Sequence, residues 1–130
     1  MKNCLFLGLL LISINVVAVS NEGEYSPAWS PDGKYLAYHK NSEKIFWDIM
    51  LKDVESGEVT QITHNPGYDT GVSWSPDGKQ FVFSSSRSGN RDIYVYDLKS
   101  QITRQLIVHE SMENQPIWSP DGDKIAFLSR

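Results

Sequence analysis

The chain has 130 residues, enough for one small domain or for part of a larger one. Apolar residues make up 40% and charged residues 22%, which excludes a chain too polar to bury a core. Twelve Lys plus Arg against sixteen Asp plus Glu leave a net charge of −4. That argues against nucleic acid as a partner, because such binding rests on clustered cations, and a single cysteine excludes a disulfide scaffold.

The first twenty residues stand apart from this average. Lys2 and the amino terminus precede the greasy run Leu5 to Ile12, which fades through Asn15 to Ala18-Val19-Ser20. A positive start, a short apolar core and small exit residues predict a secretory signal peptide over residues 1–20, cleaved after Ser20 or alternatively after Ala18. An uncleaved anchor would need about twenty apolar residues, and this core carries Ser13 and Asn15. Cys4 precedes the core, so it does not sit where a lipoprotein signal needs its cysteine. The expected mature chain has no cysteine, no membrane span and a charge of −5, which suits export.

Three windows align without gaps: Ser26 to Tyr38, Gly71 to Phe83 and Gln115 to Phe127. Each contains the string WSPDG, and Trp29, Trp74 and Trp118 lie 45 and 44 residues apart. A period in the forties with one Trp and several short strands per unit predicts propeller blades. The string suits a chain reversal, because Pro31, Pro76 and Pro120 preset φ near −65° for a turn. Asp32, Asp77 and Asp121 can bond the local backbone, and Gly33, Gly78 and Gly122 supply positive φ.

After each turn comes an apolar triplet: Leu36-Ala37-Tyr38, Phe81-Val82-Phe83 or Ile125-Ala126-Phe127. The triplets do not alternate with polar residues, so both faces of that strand are expected to be buried. A polar loop, 86–91, then leads to the strand Asp92 to Asp97, a turn at 98–101, and an outer strand Ile102 to Ile107. The first repeat runs the same course through Asp48 to Leu51 and an outer strand Val59 to Thr63. The prediction is all-β: a partial β-propeller with two complete four-stranded blades, 24–69 and 70–114, and half of a third, 115–130. Residues 21–130 form these repeats.

WSPDG followed by an apolar triplet, a polar loop, Asp-Ile and a Gln-x-Leu/Ile-Thr-like outer strand resembles the TolB-type propeller repeat. The resemblance implies a six-bladed fold in the bacterial periplasm, working with the Tol–Pal envelope system and binding a peptidoglycan-associated lipoprotein. The same repeat occurs in propellers attached to prolyl-oligopeptidase-type serine peptidases, which is the alternative reading.

Residues that could carry chemistry are few. Gly71-Val72-Ser73-Trp74-Ser75 lacks the closing glycine of a nucleophile elbow and lies on a repeat strand, so Ser73 is expected to be structural. His39, His64 and His109 have no partners at metal-ligand spacing, and Asp121-Gly122-Asp123 lacks the acidic ladder of a calcium loop. No catalytic, cofactor or metal residues are expected.

Binding is expected at the end of the blades that carries the second-to-third strand loops and the blade-to-blade connections. Trp47, Tyr68, Arg87, Arg91 and Glu113 are the candidate partner-binding residues there, beside Asp69. Ile45-Phe46-Trp47 is the one conspicuously apolar stretch of these loops, expected to pack at the start of the third strand. With two and a half blades, the chain is expected to be a piece of a longer propeller or a protomer that self-associates.

Overall fold

The computed structural model describes Val17, residues 23–42 and residues 45–130. The expected signal segment, Val17 apart, and its cleavage site lie outside the described residues. Ten strands follow: β1 (Glu24–Trp29), β2 (Tyr35–Ser42), β3 (Phe46–Asp53), β4 (Val59–Gln61), β5 (Asp69–Trp74), β6 (Gln80–Ser85), β7 (Asp92–Asp97), β8 (Ile102–Gln105), β9 (Glu113–Trp118) and β10 (Ile125–Ser129). Two antiparallel four-stranded sheets run β1-β2-β3-β4 and β5-β6-β7-β8, and β9 pairs with β10. The described fold is all-β, with blades laid out as in a partial propeller.

The SPDG turn is built the same way three times. Ser30 Oγ donates to Asp32 Oδ1 at 2.7 Å, the Lys34 amide donates to the same oxygen, and the Tyr35 amide donates to Ser30 Oγ. Ser75, Asp77, Lys79 and Gln80 repeat these contacts, as do Ser119, Asp121, Asp123 and Lys124. Gly33, Gly78 and Gly122 have φ of 73°, 69° and 82°. A Cβ on Gly78 would stand 3.5 Å from Cδ of Pro31, so successive turns also touch from blade to blade. Gly78→Ala should therefore destabilise by about 1 kcal/mol or more, since an L side chain resists that φ. Urea melts give the answer directly, and an unchanged midpoint would contradict this account of the turn.

Blades stack large against small. Trp74, Phe81, Phe83, Tyr94 and Tyr96 form one face of the second blade and pack on Ala37 and Ile49 of the first, with Ala28 and Leu51 alongside. Val82, Ile93 and Val95 form the opposite face and receive Trp118 and Ile125 of the third. Alternation along β6 and β7 puts bulky rings to one side and β-branched residues to the other. This sidedness sets a direction for stacking.

The triplets Leu36-Ala37-Tyr38 and Phe81-Val82-Phe83 are buried throughout. The third behaves differently from expectation: Ile125 is half-buried, while Ala126 and Phe127 are exposed. The reason is local, because β10 pairs only with β9 and no further blade stands against it among the described residues. The outer strands are also shorter than the sequence suggests. Beyond Gln61 a side chain replaces the ladder, with the Ile49 amide donating to Thr63 Oγ1. Beyond Gln105 the amides of Leu106 and Ile107 both converge on the Ile93 carbonyl, which ends regular pairing.

Candidate partner-binding face

The loops and crossovers meet at one end of the blades and are stitched together. The Trp47 amide donates to the Gly67 carbonyl at 3.2 Å, and Trp47 bridges to Tyr68 in parallel. The Tyr68 amide donates to Ser86 Oγ at 2.8 Å. In the second blade Asn90 Nδ2 donates to the carbonyls of Glu110 and Ser111 at 2.6 and 3.2 Å. Each crossover is thereby held as a defined ledge over its blade.

The five candidate residues have different surroundings. Tyr68 is exposed. Trp47 is half-buried and stacks on Tyr25 and His39, with ring centroids 4.9 and 4.7 Å away, while its neighbours Ile45 and Phe46 stay exposed. Arg91 is half-buried and donates through Nη1 to Asn114 Oδ1 at 2.9 Å. Arg87 is anchored: it pairs with Asp69 at 3.3 Å, donates to Ser85 Oγ, and lies over the Tyr94 ring at 4.6 Å. Glu113 departs from expectation, for it opens β9 and is only 1% exposed. Ser129 Oγ donates to its carboxylate, so its task is inside the sheet.

Glu113 belongs to a set that the tryptophan alignment contains but that is easily overlooked. Glu24, Asp69 and Glu113 share the 45 and 44 spacing, and each opens the inner strand of its blade. All three carboxylates are buried, and each keeps one oxygen unpartnered: Glu24 Oε2, Asp69 Oδ1 and Glu113 Oε2. Two residues later Ser26, Gly71 and Gln115 have φ of 51°, 72° and 49°. Each accompanies a register shift, a bulge that bends the strand.

These bulges wall a cavity of about 500 Å³ that opens between the inner strands of all three blades. Its lining includes His39, Arg91 and Arg130, and no acidic side chain. His39 is buried in β2 with Nδ1 unpartnered, and burial pushes its pKa down to about 4, so the ring is neutral at pH 7.

The remaining polar residues hold the fold. Ser73 Oγ accepts from the Trp118 amide at 3.0 Å and so ties the second blade to the third. His64 Nε2 lies 3.1 Å from the Gln61 carbonyl, and the described residues contain no group of three His, Cys, Asp or Glu side chains that could hold a metal ion. The serine hydroxyls and backbone amides in the SPDG turns lower the carboxyl pKa values of Asp32, Asp77 and Asp121.

Repeated four-stranded sheets, stacked large face on small face with bulged inner strands, define an arc of a β-propeller. Residues 12–130 match the family model described as the TolB beta propeller domain, and the chain belongs to that family. It is 35% identical over 109 residues to an uncharacterized protein of Agrobacterium fabrum, covering 84% of this chain and 37% of that protein. It is 30% identical over 86 residues to the Tol-Pal system protein TolB of Francisella tularensis subsp. mediasiatica, covering 65% of this chain and 20% of the relative.

Among solved structures, a putative TolB from Agrobacterium tumefaciens superposes with a TM-score of 0.79 at 33% identity, over 86% of this chain and 40% of that one. TolB from Acinetobacter baumannii gives 0.73 at 34% identity, over 80% and 26%. The chain thus spans well under half the length of these relatives. A prolyl endopeptidase, at 22% identity and a TM-score of 0.65, shares the fold.

Proposed function

We propose that the chain is an exported, non-catalytic module that binds protein through the loop end of its blades, in a Tol–Pal-like role in the bacterial cell envelope. Membership of the TolB propeller family carries this reading. The loop end supports it, because the blades present exposed Tyr25, Phe46 and Tyr68 there. On this reading the partner is the periplasmic domain of a peptidoglycan-associated lipoprotein.

Calorimetric titration of that lipoprotein domain into the purified chain is the test. Saturable binding that weakens about tenfold or more in Tyr68→Ala is expected, the size of an aromatic anchor at an interface. No heat at any ratio would overturn the reading. Export is tested separately by N-terminal sequencing of protein recovered from the envelope, which should begin at Asn21 or, for the earlier cleavage, at Val19. Intact Met1 in a cytosolic fraction would contradict it.

A further inference from the structure

We propose that the tip of the β2–β3 hairpin enters the surface of a phospholipid membrane. This goes beyond the reading of the loop end as a protein-binding face and rests on that reading only for export, which brings the chain to the envelope. Four observations carry it.

The first is a projection. In the second blade the ladder between β6 and β7 ends at the pair of Ser85 with Asp92. The same rung of the first blade pairs Lys40 with Asp48, and two more rungs follow there, Asn41 with Trp47 and Ser42 with Phe46. At about 3.4 Å per residue this ladder runs roughly 7 Å further than its neighbour. The loop 86–91 is instead drawn back on its own blade, with Ser88 Oγ donating to Asp92 and Arg87 to Asp69.

The second is the order of side chains along the projection. Ile45 at the tip is 60% exposed and Phe46 37%, while Trp47, one rung lower, is half-buried and braced by the rings of Tyr25 and His39. Tyr25 and Tyr68 stand exposed beside it. An aliphatic tip above a collar of Trp and Tyr follows the depth order of a bilayer interface, where amphipathic rings stay at headgroup level. Neither Ile45 nor Phe46 has a side-chain polar group with which a protein pocket fixes orientation.

The third is charge. The side chains of Glu24 and Asp69 are buried and paired with Lys40 and Arg87, and Asp48 is buried and accepts from Thr63 Oγ1. In the turn, Glu43 and Lys44 are of opposite sign. The hairpin therefore escapes the acidity of the whole chain, and a tip without net charge suits a zwitterionic surface.

The fourth is the path of the chain. The apolar run that opens at Leu5 leads into the fold at Gly23, whose carbonyl accepts from the Asn41 amide at 2.9 Å in the first of the two extra rungs. A membrane engaged by that run before cleavage therefore lies on the side of the tip.

The test uses the processed chain recovered from the envelope, which on the expected cleavage has no cysteine of its own. An environment-sensitive fluorophore is attached to Ile45→Cys or to Lys79→Cys, the latter in an SPDG turn at the opposite end, and vesicles of pure phosphatidylcholine are added. The dye at 45 should shift to the blue and the dye at 79 should not. In flotation with the same vesicles, wild type should partition about tenfold or more better than Ile45→Ser/Phe46→Ser, the loss expected when two apolar side chains no longer enter lipid. Both positions are exposed, so the melting temperature of the double variant should match wild type.

No shift at 45, equal shifts at 45 and 79, undiminished flotation of the double variant, or flotation that requires anionic phosphatidylglycerol would each overturn the proposal. If the double variant loses the lipoprotein domain while wild type does not float, the tip is a protein contact, so the lipid proposal fails and the module reading stands. If wild type floats and the dye at 45 shifts but the lipoprotein domain does not bind, the module reading fails and the lipid proposal stands.

Discussion

Trp74→Ala should lower stability by about 3–5 kcal/mol, the cost of emptying a large aromatic site that cannot collapse. Trp74 is 8% exposed, sits edge-on to Phe81 at 5.2 Å and donates its indole N–H to the Ala28 carbonyl across the blade boundary at 3.0 Å. The substitution removes both a core ring and a tie between blades. Trp29 holds the same repeat position but is 49% exposed, so Trp29→Ala should cost about half as much, roughly 2 kcal/mol. Denaturant melts of the pair provide an internal control. Equal losses would refute the claim that stacking of the second blade on the first is what buries Trp74.

The second large effect concerns pH. His39 titrates at about 4 in the folded chain against an ordinary 6.5 because burial disfavours the imidazolium. Between those values the unfolded chain takes up a proton that the folded chain refuses, so stability rises with pH across the window. The contribution is fully present above pH 6.5 and is lost as pH falls towards 4. Its size is on the order of 3 kcal/mol, from about 1.4 kcal/mol per pH unit.

Asp32, Asp77, Asp97 and Asp121, whose pKa values are lowered by hydrogen bonds, act in a separate window. Asp97 is brought down to about 2, so their stabilisation is lost only as pH falls below the ordinary carboxyl value of 3.8. Stability measured from pH 7 to 4 should slope in wild type and flatten in His39→Ser, the residue type that Ser84 supplies at the equivalent place in the second blade. An undiminished slope in the variant would exclude His39 as its source.

The blade plan was legible because WSPDG couples a covalent habit to a packing need. Pro and Gly fix the turn, and the Trp before it fills the boundary between blades. Burial of Phe81-Val82-Phe83 could be read from composition, since no residue of the triplet tolerates water on either face. The same logic misplaced Ile125-Ala126-Phe127, because burial there depends on a neighbouring strand and blade that the triplet itself does not encode.

The site was less legible than the fold. Glu113 reads as a loop residue from its polar neighbours, yet the register of β9 turns it inward. The stack of Tyr25, His39 and Trp47 joins three strands by cross-strand pairing, and no local spacing in the sequence encodes it. The acids Glu24, Asp69 and Glu113 could have been found by carrying the tryptophan period five residues further back. The strain at Ser26 and Gln115 was hinted at by their alignment with Gly71, a glycine inside a strand.

The central claim is that the loop end of the blades, where the cavity opens, is the binding face. Backbone NMR of the isotope-labelled chain with the unlabelled lipoprotein domain tests it most directly. Perturbed amides should cluster at Tyr25, Arg91 and Gln115 and extend to Tyr68. Perturbations centred on the SPDG turns at Asp32, Asp77 and Asp121 would place the partner at the opposite end and contradict the account.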